Sequence, residues 1–235
     1  AGGAIWAATD VGLYQLAGAW RLFGAADGLP ADAMRDVLVD TQGRLWVATP
    51  NGVAMDDGGW TSFAVSQVSV LAADASGALW AGTSAGLDRI AAGRQTFTAV
   101  DGLPEGPIQA AAVAPDGAVW VGTSGVRAGL ARGLDGVWQS VPLPTGAGRV
   151  HAITFDSSGR VWVGTGFLEL SGDSARVDIL GAASVFDGAA WRTWDLSGTP
   201  VSLAEDGEGV MWAATRTHGV LRVGDGDAVS AGPLP

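Results

Sequence analysis

Apolar and polar positions change over one or two residues along this chain, in short stretches broken by glycine-rich turns, and few segments hold a 3.6-residue period over ten positions. Such patterning predicts short strands and leaves almost no room for helices. One unit shows the order. Met34 to Val39, "MRDVLV", reads as an alternating inner strand that ends at "DTQG", a hairpin turn whose glycine takes the left-handed conformation. "RLWVAT" is the second strand, "PN" leads into the third, "GVAM", and after "DDGG" the outer strand "WTSFAV" begins with an aromatic residue. Trp20, Phe97, Trp138 and Trp191 are expected to take the matching place in other units.

The second strand recurs. It appears as "AIWAATDVGL" from Ala4, "RLWVATPNGV" from Arg44, "ALWAGTSAGL" from Ala78, "AVWVGTSGVRAGL" from Ala118, "RVWVGTGF" from Arg160 and "VMWAATRTHGV" from Val210. In all six copies a Trp (Trp6, Trp46, Trp80, Trp120, Trp162, Trp212) is followed two positions later by Ala or Gly and three later by Thr (Thr9, Thr49, Thr83, Thr123, Thr165, Thr215). Glycine precedes each Trp by three positions. Successive copies lie 34 to 50 residues apart, a period that suits four short strands rather than a helical pair.

A four-stranded meander cannot bury both faces alone, so neighbours must stack, and radial stacking gives a propeller. The expected fold is therefore all-β: a single β-propeller spanning 1–235, with six blades of four-stranded antiparallel sheets. In it the six indoles lie between adjacent sheets, the Ala or Gly two residues on leaves room for a neighbour, and the Thr hydroxyl bonds near the strand end. Only five residues precede Trp6, so the first blade is expected to lack its innermost strand, while the last runs through all four and finishes near "AVSAGPLP". The alternative is part of a seven-bladed propeller.

Composition narrows the chemistry. There is no cysteine, which excludes disulfides, thiolate nucleophiles and cysteine-ligated metals, and all 13 basic residues are arginine, which excludes Schiff-base lysines and the lysine of a phosphate-binding loop. A formal net charge of −11 opposes binding to nucleic acid and to anionic membrane surfaces. No apolar run approaches the roughly 20 residues of a membrane span. Asp40, Asp74, Asp156 and Asp206 each open a turn, where the carboxylate caps the backbone. "GDGDA" from Gly224 lacks the ligand series of a calcium loop.

The segment "DGLPADAMRDVLVDTQGRLWVATPNGV", Asp27 to Val53, resembles the two-component regulator propeller repeat, and the match recurs in "AVDGLPEGPIQAAAVAPDGAVWVGT" and through essentially the whole chain. That resemblance implies a sensor-type bacterial module, periplasmic or extracellular and part of a larger membrane-associated or extracellular assembly, although a cytoplasmic location also fits the sequence. The streptogramin lyases are similar Trp-bearing propellers that use a histidine and a glutamate near the channel. Here the second strand ends in Thr where theirs often carries "TE", and no matching His-to-Glu pairing is found.

In a propeller, the loops that join one blade to the next and those between second and third strands share one face around the channel. Ligands are expected on that face, called the top face below; the D-x-x-G turns lie opposite. After Thr165 one of these loops expands into "GFLELSGDSARVDILGAAS", which predicts an inserted hairpin at about 166–183, with Phe167, Leu168, Leu170, Ile179 and Leu180 as its apolar surface. Arg35, Arg127, Arg149, Arg176 and Arg216, near the same face, are candidates to receive acidic groups of a partner or glycan. The two histidines, His151 and His218, fall on neighbouring blades and could face one end of the channel, as a binding pair, a proton-transfer pair or a metal site with Glu169 or Asp173, although no metal-ligand spacing supports the last. The expectation is a non-catalytic binding or scaffold propeller that takes a protein or carbohydrate partner without a cofactor or metal; the alternative is a lyase or glycoside-active enzyme using channel histidines or carboxylates.

Overall fold

The computed structural model describes residues 3–125, 127–144, 148–170, 177–223 and 229–230, with backbone alone at 167–170, 177–180 and 229–230. It is an all-β propeller of six antiparallel sheets, one of three strands and five of four. Blade I holds β1 (Ile5–Thr9), β2 (Gly12–Ala17) and β3 (Ala19–Phe23). Blade II holds β4 (Asp36–Val39), β5 (Leu45–Thr49), β6 (Gly52–Asp56) and β7 (Trp60–Phe63). Blade III holds β8 (Val68–Ala73), β9 (Leu79–Thr83), β10 (Leu87–Ile90) and β11 (Arg94–Phe97). Blade IV holds β12 (Ile108–Val113), β13 (Val119–Thr123), β14 (Leu130–Leu134) and β15 (Val137–Val141). Blade V holds β16 (Arg149–Phe155), β17 (Val161–Leu170), β18 (Val177–Phe186) and β19 (Trp191–Leu196). Blade VI holds β20 (Pro200–Glu205), β21 (Met211–Thr215), β22 (Gly219–Val223) and β23 (Val229–Ser230). Two 3-10 turns, Ala25–Asp27 and Ala99–Asp101, carry the "DGLP" connections. No helix among the described residues is long and apolar enough to cross a membrane.

The inner strands β4, β8, β12, β16 and β20 follow one another around the channel. Trp46, Trp80, Trp120 and Trp162 are buried between sheets, while Trp6 and Trp212, in the first and last blades, are half-buried. Small residues after each indole permit this approach: a Cβ on Gly82 would come within 2.6 Å of Ile108 Cγ2 in the next blade's inner strand. The repeated Thr closes the turn between second and third strands, as where the Thr49 hydroxyl donates to the Gly52 carbonyl at 2.9 Å.

The aromatic residues of the outer strands sort differently from the sequence alignment. Trp20, Phe97, Trp138 and Trp191 were expected to share one place, but Phe97 belongs with Phe23, Phe63 and Trp194, which lie against the indole of their own blade at 5.3 to 5.8 Å between ring centroids. Trp60 and Trp138 instead reach the preceding blade, at Phe23 and at Trp80 and Phe97. Trp60 and Phe63 are three residues apart, and an odd spacing on a strand puts two side chains on opposite faces. Trp20, at the open side of blade I, is 58% exposed.

Each D-x-x-G turn is more than a backbone cap. One carboxylate oxygen of Asp40 accepts the backbone N–H groups of Gln42 and Arg44, and the other accepts the Trp46 indole Nε1 at 2.8 Å. The same indole bond ties Asp74 to Trp80 at 3.1 Å, Asp156 to Trp162 at 2.8 Å and Asp206 to Trp212 at 2.7 Å. Blade IV has Ala114 at that position, and Trp6 Nε1 is buried without a partner. The turn glycines Gly43, Gly77, Gly159 and Gly209 are left-handed, with φ between 76° and 83°.

Burial pushes the Asp40, Asp74 and Asp156 carboxyls up, but the indole, side-chain and backbone donors outweigh it and hold all three below the ordinary carboxylate value. Asp206 is lowered first by its indole bond and then by the Val210 backbone N–H. A carboxylate whose pKa is lower in the folded than in the unfolded chain contributes stability that is complete above the unfolded value and lost as pH falls through the folded one. The thermal midpoint is therefore expected to stay level from about pH 7 to pH 5 and to fall steeply below about pH 4. Circular dichroism melts across that range check this; a midpoint unchanged down to about pH 3 contradicts it.

Candidate functional site

The channel is where strand irregularity and polar chemistry coincide. In blades III to VI the inner strand carries a register shift against the second strand, one or two residues from its start, at Ser69, Gln109, His151 and Val201. Blade II has the equivalent step at Arg35, whose backbone N–H donates to Ala48 while that of Met34 donates across to Thr9 of blade I. A bulge re-aims one side chain and is common beside functional sites. All five of these residues line one cavity of about 260 Å³ at the centre of the ring, together with Asp36, Ala110, Ala111, Ala152 and Ser202.

Two of its groups are electrostatically displaced. Burial pushes the Asp36 carboxyl up, against two backbone donors that favour its ionised form: Val37 N–H on its own strand and Leu71 N–H on β8, at 2.8 and 2.7 Å. Asp36 thereby ties blade II to blade III. His151 is held below the usual imidazole value by burial, then by the charges of Arg216 and Arg149, so it is neutral at pH 7 and sits beside two cations. The Ser69 hydroxyl is occupied by the Ile108 and Gly82 carbonyls.

Arg149 opens β16 opposite Gly166, and Arg216 follows β21 with its backbone N–H on Thr199. Both are exposed, as is Arg35. His218 is exposed, with Nδ1 2.8 Å from the Thr217 hydroxyl, and it does not line the cavity that holds His151. Arg35 and His151 thus line the same cavity; Arg149 and Arg216 do not line it but act on His151 through their charges, and His218 neither lines it nor acts on His151. Arg127 is paired with Glu105, both exposed, at 3.2 Å. Among the described residues no three His, Asp or Glu side chains cluster as a metal site would require.

Beyond Gly166, β17 and β18 continue as a two-stranded ribbon: Phe167 pairs with Leu180, Leu168 with Ile179, Glu169 with Asp178 and Leu170 with Val177. β16 reaches only to Gly166 and β19 only to Gly181, so these four pairs extend past the sheet at the end where Arg149 lies. Arg176, Asp173 and the side chains of Phe167, Leu168, Glu169, Leu170, Ile179 and Leu180 lie outside the described residues, as does "GDGDA" apart from its backbone surroundings. Larger crevices of about 450 and 500 Å³ lie between blades III and IV and between IV and V. Their walls include the repeat residues Trp80 and Trp120 and the turn residues Asp74, Asp116 and Arg160, so they follow from blade packing.

Sequence reasoning reached Arg35, Arg149, His151 and Arg216 but missed Asp36, Ser69 and Gln109. Bulge residues vary freely in type, and only their common offset from the second-strand Thr, once pairing is known, marks them.

Two segments, 28–51 and 146–167, match the family model described as two component regulator propeller, and the chain carries repeats of that kind. No curated protein matches the sequence. Among solved structures, the extracellular domain of a putative one component system from B. thetaiotaomicron is 20% identical, with a TM-score of 0.75 over 95% of this chain and 31% of that one. PorZ, a surface component of the type-IX secretion system of Porphyromonas gingivalis, is 16% identical, with a TM-score of 0.68 over 95% of this chain and 39% of PorZ. Virginiamycin B lyase from Staphylococcus aureus is 15% identical, with a TM-score of 0.66 over 83% of this chain and 68% of the enzyme. The chain therefore spans about a third of the length of the regulator and secretion proteins it resembles. At these identities the likeness establishes the fold, which does not by itself carry a function.

Proposed function

From these repeats we propose that the chain is a non-catalytic binding module, periplasmic or extracellular, that engages a protein or glycan partner through its top face as part of a larger assembly. The observation that carries the reading is the ribbon of β17 and β18, which continues past its own sheet at the end of blade V where Arg149 opens the inner strand. Insertions in repeat proteins concentrate on the binding face, and a paired ribbon offers a partner both its side chains and its edges. The separation of His218 from the His151 cavity supports binding over proton transfer, because acid–base work needs its groups within hydrogen-bond reach. An extracytoplasmic setting draws support from the regulator domain, described as extracellular, and from the surface component PorZ.

Replacing residues 167–180 by Asn-Gly should leave the six sheets folded and abolish partner binding. Cross-linking in the source cells and a glycan array, run with the intact and shortened chains, make the comparison, with circular dichroism as the control for folding. A shortened, folded chain that retains the same partner sinks the assignment of binding to the ribbon.

A further inference from the structure

Most of the described arginines are matched to a partner. Five are in ion pairs with carboxylates at 2.7 to 3.2 Å. Arg21, Arg89 and Arg192 lie over aromatic rings, and Arg222 acts on Asp206. Among the described residues, three remain without an attractive partner: Arg35, Arg149 and Arg216. In a chain with 24 acidic residues and a net charge of −11, unmatched cations scattered at random would find carboxylates nearby. Instead Arg35 lines the channel cavity, while Arg149, two residues before the bulge histidine on β16, and Arg216, whose backbone N–H is held by Thr199 just before β20, stand at the same end of the neighbouring inner strands of blades V and VI.

We propose that Arg149 and Arg216, with His151 beside them and Arg35 across the channel, bind the carboxylate of a small hydroxylated organic acid of the sugar-acid class. This deepens the reading of the top face as the binding face and rests on it. A planar guanidinium presents paired N–H donors that match the two oxygens of a carboxylate, and two of them whose charges reach a partly buried imidazole, with a third lining the same cavity as that imidazole, form a site that gains from an anion. The remaining groups are suited to hydroxyls: the Gln109 amide and the Ser202 hydroxyl, neither of which has a hydrogen bond among the described residues, line the cavity of His151 and Arg35. A cavity of about 260 Å³ is of monosaccharide size, just under the lower end of common small-molecule pockets. Bound anion also favours the imidazolium form of His151, which Arg149 and Arg216 otherwise oppose, so binding takes up a proton and tightens as pH falls toward the ordinary imidazole range; among the described residues that line the cavity, Asp36 is the acidic group that opposes the anion.

Calorimetric titration of the full chain at low ionic strength with D-glucuronate, D-glucose and inorganic phosphate tests this. Glucuronate is expected to bind, glucose to bind at least about tenfold more weakly, and Arg149→Gln and Arg216→Gln each to weaken glucuronate by about tenfold or more. Both arginines are exposed, so the variants should melt with the parent. NMR titration of His151 should show its pKa rising on addition of glucuronate, a response that a purely structural arginine pair would not produce. Equal binding of glucose and glucuronate, unchanged affinity in both variants, or a His151 titration indifferent to ligand overturns the site; phosphate binding more tightly than glucuronate overturns the carboxylate assignment. The ribbon-shortened chain keeps the channel residues and should bind glucuronate as the parent does, so loss of a macromolecular partner there and loss of glucuronate binding in the arginine variants report on separate proposals.

Discussion

Replacing Asp40 by alanine is expected to destabilise the protein by about 3 to 5 kcal/mol, although the residue belongs to a surface turn. Its carboxylate is fully buried and takes the Gln42 and Arg44 backbone N–H groups, the Arg44 Nε at 2.7 Å and the Trp46 indole Nε1 at 2.8 Å. Removing it leaves the indole donor and two turn N–H groups without their acceptor and takes the carboxylate from Arg44, which keeps only its bond to the Gly77 carbonyl, and unmade bonds of that kind cost more than formed ones contribute. Trp46→Phe removes the donor and also part of a buried ring, at an expected cost of about 2 to 3 kcal/mol. Because both changes break the same bond, the double variant should cost less than their sum. Urea unfolding of the four proteins measures it; strictly additive costs, or an Asp40→Ala cost below about 1 kcal/mol, would show that the turn does not hold the indole.

The second large effect is at Trp80. Its ring stacks on Phe97 at 5.8 Å and meets Trp138 of the next blade edge-on at 6.2 Å, within the largest mixed cluster of blades III and IV. Trp80→Ala should cost about 3 to 5 kcal/mol, because a cavity that spans two sheets cannot collapse without moving one of them. Trp20, which is 58% exposed, is the internal comparison: Trp20→Ala should stay within about 0.5 kcal/mol of the parent. If the two substitutions shift the unfolding midpoint equally, the interblade indoles are not what joins the blades.

Much of the fold was legible because the repeat displays its own physics. A Trp, a small residue two later and a Thr three later are the minimum for a strand that buries a large ring, admits a neighbouring sheet and closes its next turn. Repeated six times, they define the blades and their order. The Asp-to-Trp bond was also readable in principle, since the two residues stand six apart in four copies, but reading Asp40 only as a turn residue hid its second oxygen. The outer-strand aromatics were misgrouped because aligning by type ignored strand parity, which separates Trp60 from Phe63.

The candidate site was legible only in pieces. Arg149, His151 and Arg216 stand out in the chain as rare or charged residues near loops, yet nothing local distinguishes them from Arg127, which finds Glu105. Ser69 and Gln109 carry no signal at all, because a bulge is a property of two paired strands, and Asp36 carries none because its bond to Leu71 crosses between blades. Local periodicity and turn chemistry therefore determined, from the sequence by itself, an all-β ring of six blades with its indoles inside. Which arginines lack a partner among the described residues, and which residues line the channel, was decided only by the tertiary structure, because charge pairing and bulge register depend on residues distant in the chain and brought together by closure of the blades around an axis.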